Sequence, residues 1–346
     1  MKLIIRNSLL FFLSFSCILI VSIHGDKLLD LVNNLLDKNK GTITIVNVDA
    51  EKSFPLARTE FQIIDVDTNS VVDEIQTSSN GTNTTDLLPV EKKYKIVQKK
   101  VMNPYALNSE SPIIELNEKS NRVVVENSVE EYITDYHRTD EEELKVNSVK
   151  LSVDTVLQNP ELPNGCEVTS LAAVLGYYEY DVEKVELSER YMPKESFVSK
   201  EGKLYGADPH HAYAGDPKSR GQGFFSYPPP IINTANKFLQ ETNSTYQATD
   251  ISGSSREEIF EYLKKGIPVI TWTTTDMKEP RFNYSWYIFE TNELMEVPIN
   301  SHTVVVTGFD NQVVYTMDPL KGQKSYDMEE FFSIYEKAGS HAMVVN

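Results

Sequence analysis

The sequence predicts an all-β sandwich domain followed by an α+β domain. Three observations carry this reading. Over residues 41–128 apolar and polar residues alternate in short runs, the period of half-buried strands. From residue 150 a helix-period segment comes first and strand-like runs follow, the order of an α+β domain. Between the two, residues 129–149 include "EEYITDYHRTDEEEL", an acidic stretch with little apolar periodicity that reads as a solvated linker.

At the N-terminus, Lys2 and Arg6 precede an uncharged run from Leu9 to Ile23, and Gly25 follows. A basic start, an apolar middle and a small residue predict a signal peptide over residues 1–25, and hence a secreted protein or one held at the cell surface. The run of 15 residues is shorter than the ~20 that a spanning helix needs. Removing Lys2 and Arg6 takes the formal charge from −18 to −20. So acidic a chain offers no patch for a phosphate backbone, which excludes nucleic acid as the expected partner. Cleavage also removes Cys17 and leaves one thiol, Cys166, so no intramolecular disulfide is expected.

Residues 26–40 place Leu28, Leu29, Leu31, Val32, Leu35 and Leu36 at helical spacing, which predicts a short helical spacer. The sandwich then begins. "GTITIVNV", "EFQIIDVD", "SVVDEIQT", "KKYKIVQKK", "PIIELNE" and "NRVVVEN" are its expected strands, with "NGTNTT" as a turn. In the second domain helices are expected at 166–178, 230–241, 255–265 and 327–337, and strands at 267–272, 302–309, 312–317 and 341–345.

Cys166 follows Gly165 and opens the first of these helices, where Val168, Leu171, Ala172, Leu175 and Tyr178 define one face. Unpaired amide N–H groups at a helix N-terminus favour an anion, and that setting is expected to lower the thiol pKa. The same position suits a small buried apolar residue, and the residue alone leaves both readings open. A nucleophile needs a base and an orienting group. His302 opens "SHTVVVTGF", which turns at "DNQ" and returns as "VVYTMDP", so a hairpin would make His302 and Asp318 neighbours. An exposed strand-end histidine beside a turn aspartate is the competing reading. His210 and His211 lie in "GADPHHAYAGDPKSRG", expected as a loop at the edge of a cleft; no Cys and no helical His-x-x-x-His accompanies them as metal ligands.

Taken together, "VLQNPELPNGCEVTSLAAVLGYY", "YMPK", "GDPKSRGQGFFSYPPPII", "KKGIPVITW" and "HTVVVTGFDNQVVYTMDPLKG" resemble the C39-like family of papain-fold cysteine peptidases, over about residues 150–346. The resemblance implies a papain-like fold with Cys166 as nucleophile, His302 as base, Asp318 orienting it and Gln158 as oxyanion donor. It implies no cofactor and no metal. An oxyanion donor contributes roughly 2.7–4 kcal/mol in comparable sites. Glu167 fits the family's "GCE" and receives no chemical step, the helix dipole being enough to explain it. "GTITIVNVDAEKSFPLARTEFQIID" in turn resembles the SpaA-type prealbumin-like (Cna-B-like) domains of Gram-positive surface proteins. Many of those domains carry a Lys–Asn isopeptide bond. Here Asn47 stands where the lysine belongs, with Asn127 as the matching partner and Glu60 as the matching acid, so no such bond is expected.

These readings lead to a secreted or cell-surface cysteine peptidase or amidohydrolase that acts on a peptide or protein. The sandwich would be a spacer or adhesion module with a cell-wall or host surface ligand. Two alternatives remain at this level: a surface binding protein whose papain-like domain turns nothing over, and an acyltransferase using the same residues with an amine in place of water.

Overall fold

The computed structural model describes residues 39–117, 119–139 and 144–346. Two compact units divide between Glu130 and Glu131. The predicted signal peptide lies outside the described residues, as does the predicted spacer except for Asn39 and Lys40, and Lys40 already opens a strand.

The first unit contains β1 (Lys40–Asp49), β2 (Glu60–Asp65), β3 (Ser70–Gln76), β4 (Thr82–Thr84), β5 (Leu88–Pro89), β6 (Lys92–Lys100), β7 (Ile113–Leu116) and β8 (Ser120–Asn127). One sheet runs β4-β1-β5 with β8 parallel on β1, and the other runs β3-β2-β6-β7. Alternation places Ile43 and Ile45, Phe61 and Ile63, Tyr94 and Ile96, and Val123 and Val125 on inward faces, where they form one core with Leu88 and Leu116. At one end of that core lies a buried amide cluster. Asn47 Nδ2 donates to Asn127 Oδ1 at 2.7 Å, and Asn127 and Gln98 exchange two bonds of 2.8 Å. Glu60 is not part of this cluster; it opens β2, where its side chain lies 3.5 Å from Lys100 Nζ.

The second unit corrects the expected linker. Residues 133–138 form β9 (Ile133–Arg138) and residues 144–150 form β10 (Leu144–Lys150), an antiparallel pair. Ile133, Tyr136 and Val149 are buried and Leu144 and Val146 partly so, which anchors an otherwise acidic segment to the unit.

Its helices are α1 (Cys166–Tyr177), α2 (Pro228–Glu241), α3 (Arg256–Leu263) and α4 (Met328–Lys337), each within a few residues of expectation; a helical turn over residues 184–191 is an addition. The remaining strands are β11 (Lys194–Glu195), β12 (Val198–Lys200), β13 (Lys203–Gly206), β14 (Tyr213–Ala214), β15 (Ala248–Asp250), β16 (Val269–Thr274), β17 (Phe282–Ile288), β18 (Leu294–Pro298), β19 (Ser301–Phe309), β20 (Val313–Asp318), β21 (Gly322–Asp327) and β22 (Ala342–Val345). The main sheet runs β15-β22-β16-β19-β10-β9, with β20 and β21 continuing from β19. β16 pairs with Ser301–Val306 of β19, and β10 pairs with Gly308 and Phe309 beyond it. A smaller sheet, β12-β13-β17-β18, closes over Trp286 and Phe225.

Helix α1 is buried on every side from Cys166 to Leu175, more completely than its single predicted apolar face implies. It packs on β19, where Ser170 Oγ donates to Thr303 O at 3.3 Å. Gly165 is needed for close approach, since a Cβ there would lie 2.7 Å from Leu162 Cβ. Among the described residues no helix is long and apolar enough to cross a membrane.

Candidate active site

A cavity of about 290 Å³ is lined by Cys166, His302, Gln158, Asn164, Phe224 and Ile299, among others. Each side chain arrives on a different element. Cys166 is the first residue of α1, and His302 is the second of β19. Gln158 sits on the segment between β10 and α1, where its N–H donates to Pro319 O at 2.9 Å and fixes that segment beside the turn after β20.

β19 and β20 are antiparallel, with Val305 opposite Met317, so Asp318 reaches the His302 end of the hairpin. His302 Nε2 lies 2.8 Å from Asp318 Oδ1, and both side chains are buried. A carboxylate can only accept, so Nε2 carries the proton and Nδ1 is left as the basic nitrogen. Asp318 is held from several sides. Leu320 N donates to Oδ1 at 2.8 Å, Tyr326 OH donates to Oδ2 at 3.2 Å, and Lys321 Nζ stands 3.6 Å from Oδ2 while bonding Thr275 O at 2.8 Å. Burial pushes the Asp318 carboxyl up, but the hydrogen bond and charge of His302, the Leu320 N–H and the Lys321 ammonium outweigh it and hold it at about 2.

Gln158 is buried, and its Nε2 donates one hydrogen to Pro163 O at 2.7 Å. The other amide hydrogen is free for a group in the cavity.

Cys166 departs from expectation. Its Sγ donates to Glu167 Oε2 at 3.3 Å, and the other Glu167 oxygen accepts from Ser226 N at 3.0 Å. Burial is the largest influence on the thiol and the Glu167 charge comes next; the two push its pKa well up, against hydrogen bonds from Thr303. The net direction is upward, opposite to the one the sequence predicts from the helix N-terminus. Burial likewise lifts the Glu167 carboxyl to about 7, over the opposing bonds from its own backbone, Ser226 and the thiol. The helix dipole alone does not account for Glu167, which is 1% exposed and bonded to the thiol. The only signal of this in the chain is its place next to Cys166.

Other sequence candidates separate. Phe224 lines the cavity and stacks on Tyr284 at 5.1 Å, whereas Phe225 and Trp286 belong to the core. His210 packs on Tyr227 at 4.3 Å and does not line the cavity. Among the described residues no group of three His, Cys, Asp or Glu side chains could hold a metal ion.

Residues 150–343 match the Peptidase_C39 like family, and residues 41–129 match the prealbumin-like fold domain SpaA. The chain is 33% identical over 218 residues to the uncharacterized protein YvpB of Bacillus subtilis, which covers 61% of this chain and 82% of that one. It is 30% identical to a C39-like protein of known crystal structure from Bacillus anthracis, over 57% of this chain and 97% of that one, with a TM-score of 0.49. The group B streptococcus pilus 2b backbone protein is 24% identical over 26% of this chain and 41% of that one, with a TM-score of 0.23.

Proposed function

Because the chain belongs to the Peptidase_C39 like family, we propose that its second unit is a cysteine peptidase using Cys166, His302, Asp318 and Gln158. One observation carries the reading: Cys166, His302 and Gln158 line a single cavity, with the imidazole fixed by Asp318 so that Nδ1 is its base. In the reaction the Cys166 thiol passes its proton to Nδ1, and the thiolate attacks the substrate carbonyl carbon. The oxyanion takes hydrogen bonds from the Cys166 backbone N–H and the Gln158 amide. The imidazolium then protonates the leaving amine, and water releases the acyl group from sulfur. Phe224, Pro298, Ile299 and Leu320 line the cavity together with Asn164, Thr275 and Ser301, a mixed wall with room for peptide backbone. In this proposal the protein is exported through residues 1–25, and the sandwich presents the peptidase at a cell wall or host surface.

The test is incubation of residues 26–346 with a mixed peptide library, followed by mass spectrometry. Products that vanish in Cys166→Ala and His302→Ala support the peptidase. Identical product sets in wild type and Cys166→Ala sink it.

A second reading, a binding protein without turnover, is favoured by the thiol's bond to Glu167 in place of His302. Retention of particular peptides, uncleaved, by wild type would favour it.

A further inference from the structure

Glu167 touches the sulfur, yet the reaction above gives it no part. Its two oxygens are both used: Oε2 accepts the Cys166 S–H at 3.3 Å and Oε1 accepts Ser226 N–H at 3.0 Å. Ser226 is itself anchored, its carbonyl accepting Trp272 Nε1–H from β16 at 2.7 Å. The carboxyl is thus fixed between the first turn of α1 and the segment that carries Phe224 into the cavity wall. A mobile surface acid could swing away from a neighbouring thiol; this one cannot.

We propose that Glu167 is a positioning residue that holds Cys166 as a neutral thiol, bonded away from His302, until substrate enters the cavity. The proposal rests on Cys166 being the nucleophile. Two acids in contact in a buried site do not both ionise readily, because the second charge meets the first at low effective dielectric. While Glu167 is a carboxylate, thiolate formation is opposed. The pair becomes reactive when Sγ leaves Oε2 and its S–H bond breaks as an N–H bond forms at His302 Nδ1. The charge then sits on sulfur beside an imidazolium. Two further groups act on the pair. Tyr213 of β14 has its phenol pushed well up by burial and by the charges of Glu167 and Cys166, so it stays neutral and donates to Asn164 O at 2.6 Å. His302 faces the cavity into which the thiol also opens.

The experiment is the pH dependence of iodoacetamide alkylation of Cys166 in residues 26–346, for wild type, Glu167→Gln and His302→Ala. Glutamine keeps the shape and can still accept from Ser226 N–H, but it carries no charge. Glu167→Gln is expected to move the thiol midpoint down by about one unit or more, raising the alkylation rate at pH 7 about tenfold. A midpoint that stays or rises overturns the proposal. Should Glu167→Gln fail to fold, judged by circular dichroism, Cys166→Ala carries the test by infrared titration of the Glu167 carboxylic-acid band. Loss of the S–H donor is expected to move that titration up from wild type, and an unmoved titration overturns the proposal. His302→Ala separates this from the peptidase reading. A thiol that ignores His302→Ala yet responds to Glu167→Gln removes the catalytic pair and leaves the Glu167 latch standing. The reverse pattern removes the latch and leaves the pair.

Discussion

The buried Glu167 carboxyl should make the second unit less stable as pH rises, and Glu167→Gln should abolish that loss. In the folded chain burial lifts the carboxyl from its ordinary 4.5 to about 7. Between those values the folded state binds a proton that the unfolded state has released. Stability therefore falls as pH rises from about 4.5 through 7, and the deficit is full above it. A difference of about 2.5 units at 1.36 kcal/mol each is about 3 kcal/mol. Glutamine has no such titration, so its free energy of unfolding relative to wild type should climb by about 3 kcal/mol from pH 4.5 to pH 8. Burial keeps the Cys166 thiol protonated across this range, and the titrating groups out of contact with Glu167 are common to both proteins and cancel in the comparison. The assay is urea unfolding followed by tryptophan fluorescence. Both tryptophans of the chain, Trp272 and Trp286, are buried in the second unit, so the signal reports that unit. With a urea slope of about 2–3 kcal/mol per molar, the two midpoints should separate by about 1 M across that range. Midpoints that run parallel with pH would show that Glu167 is ionised without penalty, and the reasoning from burial would fail.

Asp318→Asn should lower peptide cleavage by roughly 10⁴-fold, measured as kcat/KM on any peptide that wild type cleaves, because a neutral amide neither selects the Nε2–H tautomer nor stabilises the imidazolium. Gly308→Ala should destabilise the second unit by about 1–3 kcal/mol in the same urea assay, since the new Cβ would lie 2.0 Å from Val149 O on β10. Asn127→Ala should strip partners from Asn47 and Gln98 and lower the stability of the first unit by about 1–3 kcal/mol, lowering a circular-dichroism transition while the tryptophan transition stays put. A chain trimmed to begin at residue 151 should lose solubility by gel filtration relative to one beginning at residue 131, because it leaves the Gly308–Phe309 edge of β19 without its β10 partner.

Much of the sandwich was legible because its strands have one inward face, and a period of two writes that face directly into "GTITIV" and "RVVVEN". The His302–Asp318 contact was legible for a related reason: a short hairpin fixes which residues meet, whatever else surrounds it. The β9–β10 hairpin was not. Its buried residues, Ile133, Tyr136 and Val149, are too widely spaced to read as alternation, and the charges between them dominate the local pattern. The β17–β18 pair escaped notice for another reason, since a register shift between Phe282 and Tyr284 breaks its period near the start. The ionisation of Cys166 was misread because position on a helix is local, whereas burial and the direction of a neighbouring carboxyl belong to the tertiary structure. Local sequence reported the dipole and was silent on the larger effect.

The pairing of β1 with β8 has a mechanical consequence. These strands open and close the first unit and lie side by side in parallel, matched from Thr42 with Ser120 to Asp49 with Asn127. A pull applied between the ends of the sandwich draws β1 towards one end and β8 towards the other. The eight matched positions then bear the load in shear, all at once, instead of opening one after another as a zipper would. The Asn47–Asn127 bond crosses the same seam and shares that load. A tethered module built this way yields abruptly at a high force and stays stiff below it.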